Sequence, residues 1–184
     1  QGYSSAASDV YKRQAHVTLV NASVSVEPPM FVDVVNVTSA ADMADVVKSK
    51  AAEQDIIIMT AAVADFCPSH PADEKIKKND SSYESVIELE RTEDILSYLG
   101  AHKAKGQLIC GFSMETQNML ENSKAKLAKK NADMIVANNL KVAGAGFGTD
   151  TNVVTLITAD DCTELEIMDK SCVAARIMDR LLQM

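Results

Sequence analysis

Short runs of β-branched and other apolar residues recur along the chain and alternate with segments of helical periodicity. The runs predict seven strands, at residues 17–20, 34–37, 55–61, 83–89, 107–112, 134–137 and 153–157. Strands that alternate with helices in this way are typical of βαβ units, in which helices cover a parallel sheet. We therefore expect an α/β fold, a Rossmann-like and mostly parallel sheet with helices on both faces.

Four segments have apolar residues at helical spacing. Ser39 and Thr92 are predicted to cap the first two helices, and the others are predicted at residues 115–131 and 170–183. The inward-facing positions of the first two helices are Met43, Val46, Val47, Ile95, Leu96 and Leu99. These helices are long enough to cross from one strand of a parallel sheet to the next.

The first fourteen residues, QGYSSAASDVYKRQ, do not continue the pattern, because they are polar and have no apolar period. We interpret residues 1–14 as a non-native or disordered leader, and a foreign segment and a native arm both remain open. The remaining residues 15–184 are expected to form one domain, since a chain of 184 residues with 47% hydrophobic content has room for one sizeable core.

Composition narrows the classes of function. A net charge of −8 argues against broad nucleic-acid binding, whereas the local basic patches at residues 75–78 and 124–130 suit a small phosphorylated ligand. The longest apolar stretch, residues 55–64, is too short to span a membrane, and the N-terminus has no signal-peptide pattern. We expect a cytoplasmic protein with neither a membrane nor a nucleic-acid partner.

The four cysteines are widely spaced and have no neighbouring histidine, so the sequence predicts free thiols and not a zinc site. No P-loop, HExxH or GxSxG motif is present, and Gly144-Ala-Gly-Phe-Gly148 lacks the spacing of a dinucleotide loop. Hydrolase and metalloprotease functions therefore have no residues to perform them.

Ligands bind beyond the carboxyl ends of parallel strands, so the loops after residues 60, 112 and 137 are the candidate sites. Asp65, in the AAVADF segment, places a carboxylate at this edge, although taken alone the segment favours a strand that ends with a capping aspartate. Lys75 lies in EKIKK, within the irregular stretch 65–82 that suggests a functional flap, and a solvated charged loop is an equal alternative.

Lys126 and Lys130 are four residues apart and share one helix face, where they are either solvated surface or a pair of anion-binding groups. The segment Thr92-Glu-Asp-Ile95 begins a helix whose backbone N–H groups could hold a phosphate. Glu93 and Asp94 would repel such a group, so the helix start alone is a weak indication.

Taken in order, six segments together resemble the synthetase domain of the phosphopantothenoylcysteine synthetase family, the ligases of coenzyme A biosynthesis. The segments are AAVADF, EKIKK, ELERTEDIL, GFSMET, KAKLAKKNADMIVANN and GFGTDTNVVTLI. The resemblance extends over residues 15–182, and the order of the segments is more specific than any one of them.

The resemblance implies a reaction of two steps. In the bacterial family, Mg²⁺ and CTP activate the carboxylate of 4'-phosphopantothenate as an acyl-cytidylate, and L-cysteine then displaces CMP. Lys75 would be catalytic, by stabilising the transition state at the α-phosphate. The other residues that match nucleotide-contacting positions are Ala61, Asp65, Glu93, Asp94, Ile95, Leu96, Phe112, Lys126 and Lys130.

Within that set the resemblance assigns separate tasks. Phe112 would lie against the cytosine, and Lys126 and Lys130 would hold the triphosphate. Glu93 stands where the family commonly has proline. No metal ligand is assigned.

The chain also departs from the family. The family's opening strand, its Gly-rich turn and an asparagine-containing SSGKMG-type segment have no counterpart, and the leader stands in their place. The resemblance therefore implies an N-terminally truncated member whose own activity is open. It further implies a homodimer. Many relatives carry a phosphopantothenoylcysteine decarboxylase domain upstream; whether the full gene product has this domain or a separate polypeptide supplies the step stays open.

Two alternatives remain. The chain could be a non-catalytic nucleotide-binding or dimerisation partner of a full-length subunit. It could also be an unrelated Rossmann-like oxidoreductase, although no GxGxxG follows the first strand. The residues do not decide between CTP and ATP.

Overall fold

A computed structural model describes residues 13–22, 27–72, 74, 86–115, 118–139 and 149–184. The strands are β1 (Thr18–Ala22), β2 (Asp33–Val37), β3 (Ile56–Met59), β4 (Phe66–Pro68), β5 (Leu89–Arg91), β6 (Leu108–Glu115), β7 (Met134–Asn139), β8 (Thr151–Asn152), β9 (Val154–Ile157), β10 (Cys162–Glu164) and β11 (Met168–Asp169). The helices are α1 (Ala40–Ala51), α2 (Ile95–Ala101), α3 (Met119–Lys130) and α4 (Lys170–Leu181). The predicted α/β fold is confirmed.

The main sheet has five strands in the order β10-β9-β7-β6-β3. Strands β3, β6 and β7 are parallel, and β9 and β10 continue the sheet in antiparallel fashion. Strands β4 and β5 form a separate antiparallel ribbon, and β1 pairs in parallel with β2. The side of the sheet that ends at β3 is thus wholly parallel, as the βαβ pattern predicts.

Helices cover both faces of this sheet. Because successive strand residues point to opposite faces, Ile109 and Cys110 of β6 belong to different apolar clusters. Ile109 packs with residues of α1 and α2, including Leu99, whereas Cys110 packs with residues of α4, including Ile177. Each cluster contributes the burial of apolar surface that holds its helices in place.

The predicted start of the first helix is confirmed. The Ser39 hydroxyl accepts a hydrogen bond from the Asp42 amide at 3.1 Å, and the Asp42 carboxylate accepts one from the Ser39 amide at 2.9 Å. This reciprocal pair is a capping box, which satisfies two N–H groups that have no partner within the helix. Met43 and Val47 are buried on the predicted face.

The predicted cap of the second helix was wrong. Asp94, and not Thr92, is the N-cap of α2, and its carboxylate accepts a hydrogen bond from the Ser97 amide at 2.9 Å. Thr92 is used elsewhere, because its hydroxyl donates to the carbonyl of Ala64 and its amide to the carbonyl of Asp65. The helix therefore begins only after this contact.

Two other boundaries differ from the prediction. The predicted strand at 83–89 is wrong for residues 86–88, which are not in a strand. The strand here is Leu89–Arg91, because these residues pair with β4. Residues 83–85 lie outside the described residues. The third helix begins at Met119 and not at residue 115, because parallel pairing with β7 continues β6 as far as Glu115. The last helix begins at the predicted residue, Lys170.

A cleft separates β1 from β3. The β1–β2 pair and the five-stranded sheet are distinct in their hydrogen bonding, and a cavity of about 330 Å³ lies between them, lined by β1, β3 and the inner side of α1. The facing edges of β1 and β3 therefore carry backbone groups with no ladder partner among the described strands.

The four cysteines are free thiols, as predicted, and Cys110 is fully buried. None of the helices in the described ranges combines the length and the apolar character needed to cross a membrane.

Candidate functional site

A second cavity, of about 280 Å³, lies at the carboxyl end of β3. Its walls are the loop after β3, the end of β5, the start of α2, the middle of β6 and one face of α3. The lining residues are Met59, Ala61, Val63, Ala64, Asp65, Arg91, Thr92, Glu93, Asp94, Ile95, Leu96, Phe112, Lys126 and Lys130. The structure thus brings together every predicted site residue except Lys75, which lies outside the described residues.

Thr92 joins the two loops that form one wall. Its amide donates to the Asp65 carbonyl at 3.0 Å, and its hydroxyl donates to the Ala64 carbonyl. Immediately beside this contact, Phe66 of β4 and Arg91 of β5 are paired across the ribbon. The VADF turn and the RTED segment are therefore held as one wall by residues that lie 28 positions apart in the sequence, Ala64 and Thr92.

Glycines allow the helices to approach the site closely. A Cβ on Gly111 of β6 would lie 2.7 Å from the Leu96 side chain, and one on Gly100 of α2 would lie 1.8 Å from the Lys130 carbonyl oxygen. At Gly100 only glycine fits, because the contact is with backbone, whereas at Gly111 a larger residue would require the Leu96 side chain to shift. The side chain of Asn131 adds a hydrogen bond of 2.7 Å to the Gly100 carbonyl, which ties the ends of α2 and α3 together.

The two lysines of α3 lie on one wall, as their spacing predicts. The Lys126 ammonium donates to the Phe112 carbonyl at 2.8 Å. The Lys130 ammonium forms an ion pair with Asp94 and donates to the Ser97 hydroxyl at 2.9 Å. Both cations point toward the cavity wall that α2 and β6 supply, and neither is merely solvated.

The side chain of Phe112 is half-buried and packs against the apolar cluster on the α4 face of the sheet. The Glu93 carboxylate accepts a hydrogen bond from Lys48 of α1 at 2.6 Å, and this bond raises the pKa of the lysine. In the described part of the chain, Asp65 makes no side-chain hydrogen bond or ion pair. The cavity therefore holds one carboxylate with no cation beside it.

Metal-binding clusters are not found in the described ranges, where no three His, Cys, Asp or Glu side chains converge. Residues 144–148, whose spacing is not that of a dinucleotide loop, and residues 1–12 lie outside the described residues. Arg13, which is described, forms an ion pair of 2.8 Å with Asp179 of α4.

The sequence matches, over residues 1–184, the family described as DNA/pantothenate metabolism flavoprotein C-terminal domain. The chain belongs to this family. The predicted membership of the synthetase domain family is confirmed, since the chain is 45% identical over 169 residues to the coenzyme A biosynthesis bifunctional protein CoaBC of Bacillus subtilis. That alignment covers 91% of the chain and 41% of CoaBC.

Another family relative is a prokaryotic protein named cysteine/cysteine sulfinic acid decarboxylase. It is 44% identical over 170 residues, which cover 91% of this chain and 47% of the relative. The chain thus spans less than half the length of either curated relative. A solved structure, the C-terminal domain of CoaBC, is 40% identical with a TM-score of 0.80 and covers 98% of this chain and 81% of that domain.

The motif resemblance assigns no role to Arg91, which the structure places in the cavity wall. Arg91 lies within the ELERTEDIL segment, but the sequence has no local pattern that separates it from a solvated charge. Met59, which also lines the cavity, was missed as well, because an apolar residue at a strand end is typical of the core.

Proposed function

We propose that this family member is the synthetase part of a coenzyme A biosynthetic enzyme and joins 4'-phosphopantothenate to L-cysteine using CTP. The observation that supports this proposal is the meeting of the VADF turn, the RTED segment and the two lysines of α3 in one cavity. The similarity to the solved C-terminal domain of CoaBC favours this half of the bifunctional relatives as the counterpart.

In the proposed reaction, a carboxylate oxygen of 4'-phosphopantothenate attacks the α-phosphorus of CTP, and pyrophosphate leaves. The amine of cysteine then attacks the acyl carbon, CMP leaves, and an amide forms with loss of a proton from the amine. Charge builds on the phosphates in the first step, so cations that face them lower the barrier. Lys75 is assigned to the α-phosphate, and Lys126 and Lys130 to the triphosphate.

The remaining predicted residues position the nucleotide. Ala61 leaves space at the strand end, Phe112 is assigned to the cytosine, and the turn from Glu93 to Leu96 lies beside them. The Lys130 ammonium has three donors, of which Asp94 and Ser97 take two, so the triphosphate either uses the third donor or replaces Asp94. A charge-assisted bond to phosphate is strong enough to compete with a partly exposed ion pair.

Mg²⁺ fits this proposal as a companion of the nucleotide. Magnesium is commonly held by one or two carboxylates together with substrate phosphates, and it keeps several waters. Asp65, the cavity carboxylate with no cation beside it in the described part of the chain, is a suitable ligand. The ion would screen the phosphate charges during attack.

The test is release of pyrophosphate from CTP with Mg²⁺ and 4'-phosphopantothenate, with and without cysteine, and with ATP in place of CTP. It is run on this chain and on the chain joined to the family's N-terminal segment. Release by either protein that depends on 4'-phosphopantothenate supports the ligase. No release by either protein, with either nucleotide, would overturn it.

CTP binding without turnover by both proteins would instead favour a non-catalytic nucleotide-binding partner. Binding of NADPH in place of CTP would favour the oxidoreductase alternative. A homodimer and a cytoplasmic location remain parts of the proposal, and the decarboxylase step belongs either to another part of the same protein or to a separate polypeptide. Light scattering and co-purification address the dimer and the decarboxylase.

A further inference from the structure

Three cationic side chains line the 280 Å³ cavity in the described part of the chain: Arg91, Lys126 and Lys130. Lys126 donates to the Phe112 carbonyl, and Lys130 is paired with Asp94. Arg91 differs from both lysines, because it makes neither a hydrogen bond nor an ion pair with any other described residue. Its guanidinium donors are therefore available to a ligand.

The ring of Phe66 holds this guanidinium group. Its centre lies 5.4 Å from the guanidinium carbon, and the two residues are direct partners across the β4–β5 ribbon. A guanidinium over an aromatic face is attracted to the ring, while its N–H groups remain free to donate in their own plane. The ring thus orients Arg91 without using its hydrogen bonds.

The charges of the cavity favour an anion at this position. Glu93 is neutralised by Lys48, and Asp94 by Lys130, so two of the three carboxylates in the wall already have cations. With those two pairs set aside, the described lining keeps the cations Arg91 and Lys126 and the carboxylate of Asp65. The planar fork of arginine matches the oxygens of a phosphate better than a point charge does.

We infer that Arg91 is a phosphate-binding residue of this cavity and that Phe66 is its positioning residue. The inference rests on the proposed function for the identity of the ligand. It adds a residue that the motif resemblance does not assign. The phosphate belongs either to the nucleotide or to 4'-phosphopantothenate, and binding experiments separate the two sources.

The test compares wild type with Arg91→Met and with Arg176→Met, a control that removes an exposed cation of α4 outside the cavity. Calorimetric titrations use inorganic pyrophosphate, CTP, cytidine and 4'-phosphopantothenate. Arg91→Met should weaken pyrophosphate and at least one of the two phosphorylated substrates by about ten- to a hundredfold. Cytidine binding should not change, and Arg176→Met should behave as wild type.

Two further variants test the positioning role. Arg91→Lys should recover part of the lost affinity, and Phe66→Leu should weaken phosphate binding less than Arg91→Met does. A circular dichroism spectrum and a melting curve for each variant establish that it is folded. If Arg91→Met unfolds, Arg91→Lys and Phe66→Leu still test the inference, since both should lower affinity for the phosphate probes.

The outcomes separate this inference from the proposed function. Weaker pyrophosphate binding by Arg91→Met than by wild type supports the inference even if neither wild type nor the variant binds CTP. Absence of CTP binding would overturn only the proposed function. Equal affinities of wild type and Arg91→Met for every phosphate probe would overturn the inference while leaving CTP binding intact. Loss confined to CTP assigns the phosphate to the nucleotide, and loss confined to 4'-phosphopantothenate assigns it to that substrate.

Discussion

The ammonium group of Lys130, in the last turn of α3, forms an ion pair with Asp94, the N-cap of α2, on the wall of the cavity. Partial burial alone would raise the pKa of Asp94. The hydrogen bonds from Lys130 and from the Ser97 amide outweigh it and hold that pKa below its ordinary value of 3.8. The same pair therefore joins two helices and keeps the Asp94 carboxylate ionised to lower pH.

Replacing Lys130 should cost stability in a pH-dependent way. Lys130→Met should lower the free energy of unfolding by about 0.5–1 kcal/mol at pH 7, a small value because Asp94 is half exposed. The pKa of Asp94 is lowered in the folded state, so the contribution is complete above pH 3.8 and is lost as the pH falls through the folded value. Urea unfolding between pH 7 and pH 3 measures it.

The control for this variant is Lys129→Met, which removes an exposed neighbour on the same helix. It should change stability by less than Lys130→Met at pH 7. A difference between wild type and Lys130→Met that stays constant down to pH 3 would show that the ion pair is not its cause.

The capping box of α1 supplies a second prediction. Ser39→Ala should lower the free energy of unfolding by about 1 kcal/mol, because the Asp42 amide loses its acceptor. Ser49→Ala, in which the exposed hydroxyl bonds the Val46 carbonyl within the same helix, should have a smaller effect. Urea unfolding at pH 7 measures the free energy of unfolding of both variants. Equal decreases would contradict a capping role for Ser39.

The stabilisation by the capping box of α1 also depends on pH. Hydrogen bonds from the Thr38 and Ser39 side chains and amides lower the pKa of Asp42 to about 2. The stabilisation by this carboxylate is therefore complete above pH 3.8 and declines as the pH falls through about 2. Asp42→Asn should be less stable than wild type at pH 7, and the gap should narrow toward pH 2.

A third prediction concerns the packing of α2 on α3. Gly100→Ala should destabilise the protein by about 1–3 kcal/mol, since its Cβ would overlap the Lys130 carbonyl oxygen and force the helices apart. Displacement of Lys130 should also weaken phosphate binding in the cavity. Thermal unfolding and a pyrophosphate titration measure the two effects.

Gly106→Ala is the matched control for this packing. Gly106 has a φ of 84° with open space around its Cβ position, so alanine there should cost about 1 kcal/mol of backbone strain. Phosphate affinity should remain that of wild type. Loss of affinity in both glycine variants would mean that general destabilisation, and not the α2–α3 contact, is responsible.

The fourth prediction concerns Lys75. By its proposed role at the α-phosphate, Lys75→Gln should slow pyrophosphate release by a larger factor than it weakens CTP binding, because the interaction grows in the transition state. Lys78→Gln, from the same basic segment, should have a smaller effect on the rate. An unchanged rate of CTP-dependent release by Lys75→Gln would remove Lys75 from the mechanism.

Local patterns predicted some elements well and others poorly. Ser39 was identified correctly because a capping box depends only on residues three apart, and the apolar face of α1 follows from helical periodicity. Thr92 and residue 115 were assigned wrongly because distant partners decide their structure. Thr92 bonds the loop after β3, and Glu115 is held by pairing with Asn139.

By itself, the sequence determined the alternation of strands and helices, the two-faced core and the family, since these depend on periodicity and on the order of short motifs. Only the tertiary structure decided which charges of the cavity are already neutralised and which remain available. Asp94 and Lys130 are 36 positions apart, and Phe66 meets Arg91 only through the register of the ribbon. Such contacts depend on how the backbone folds between the partners, which local patterns do not encode.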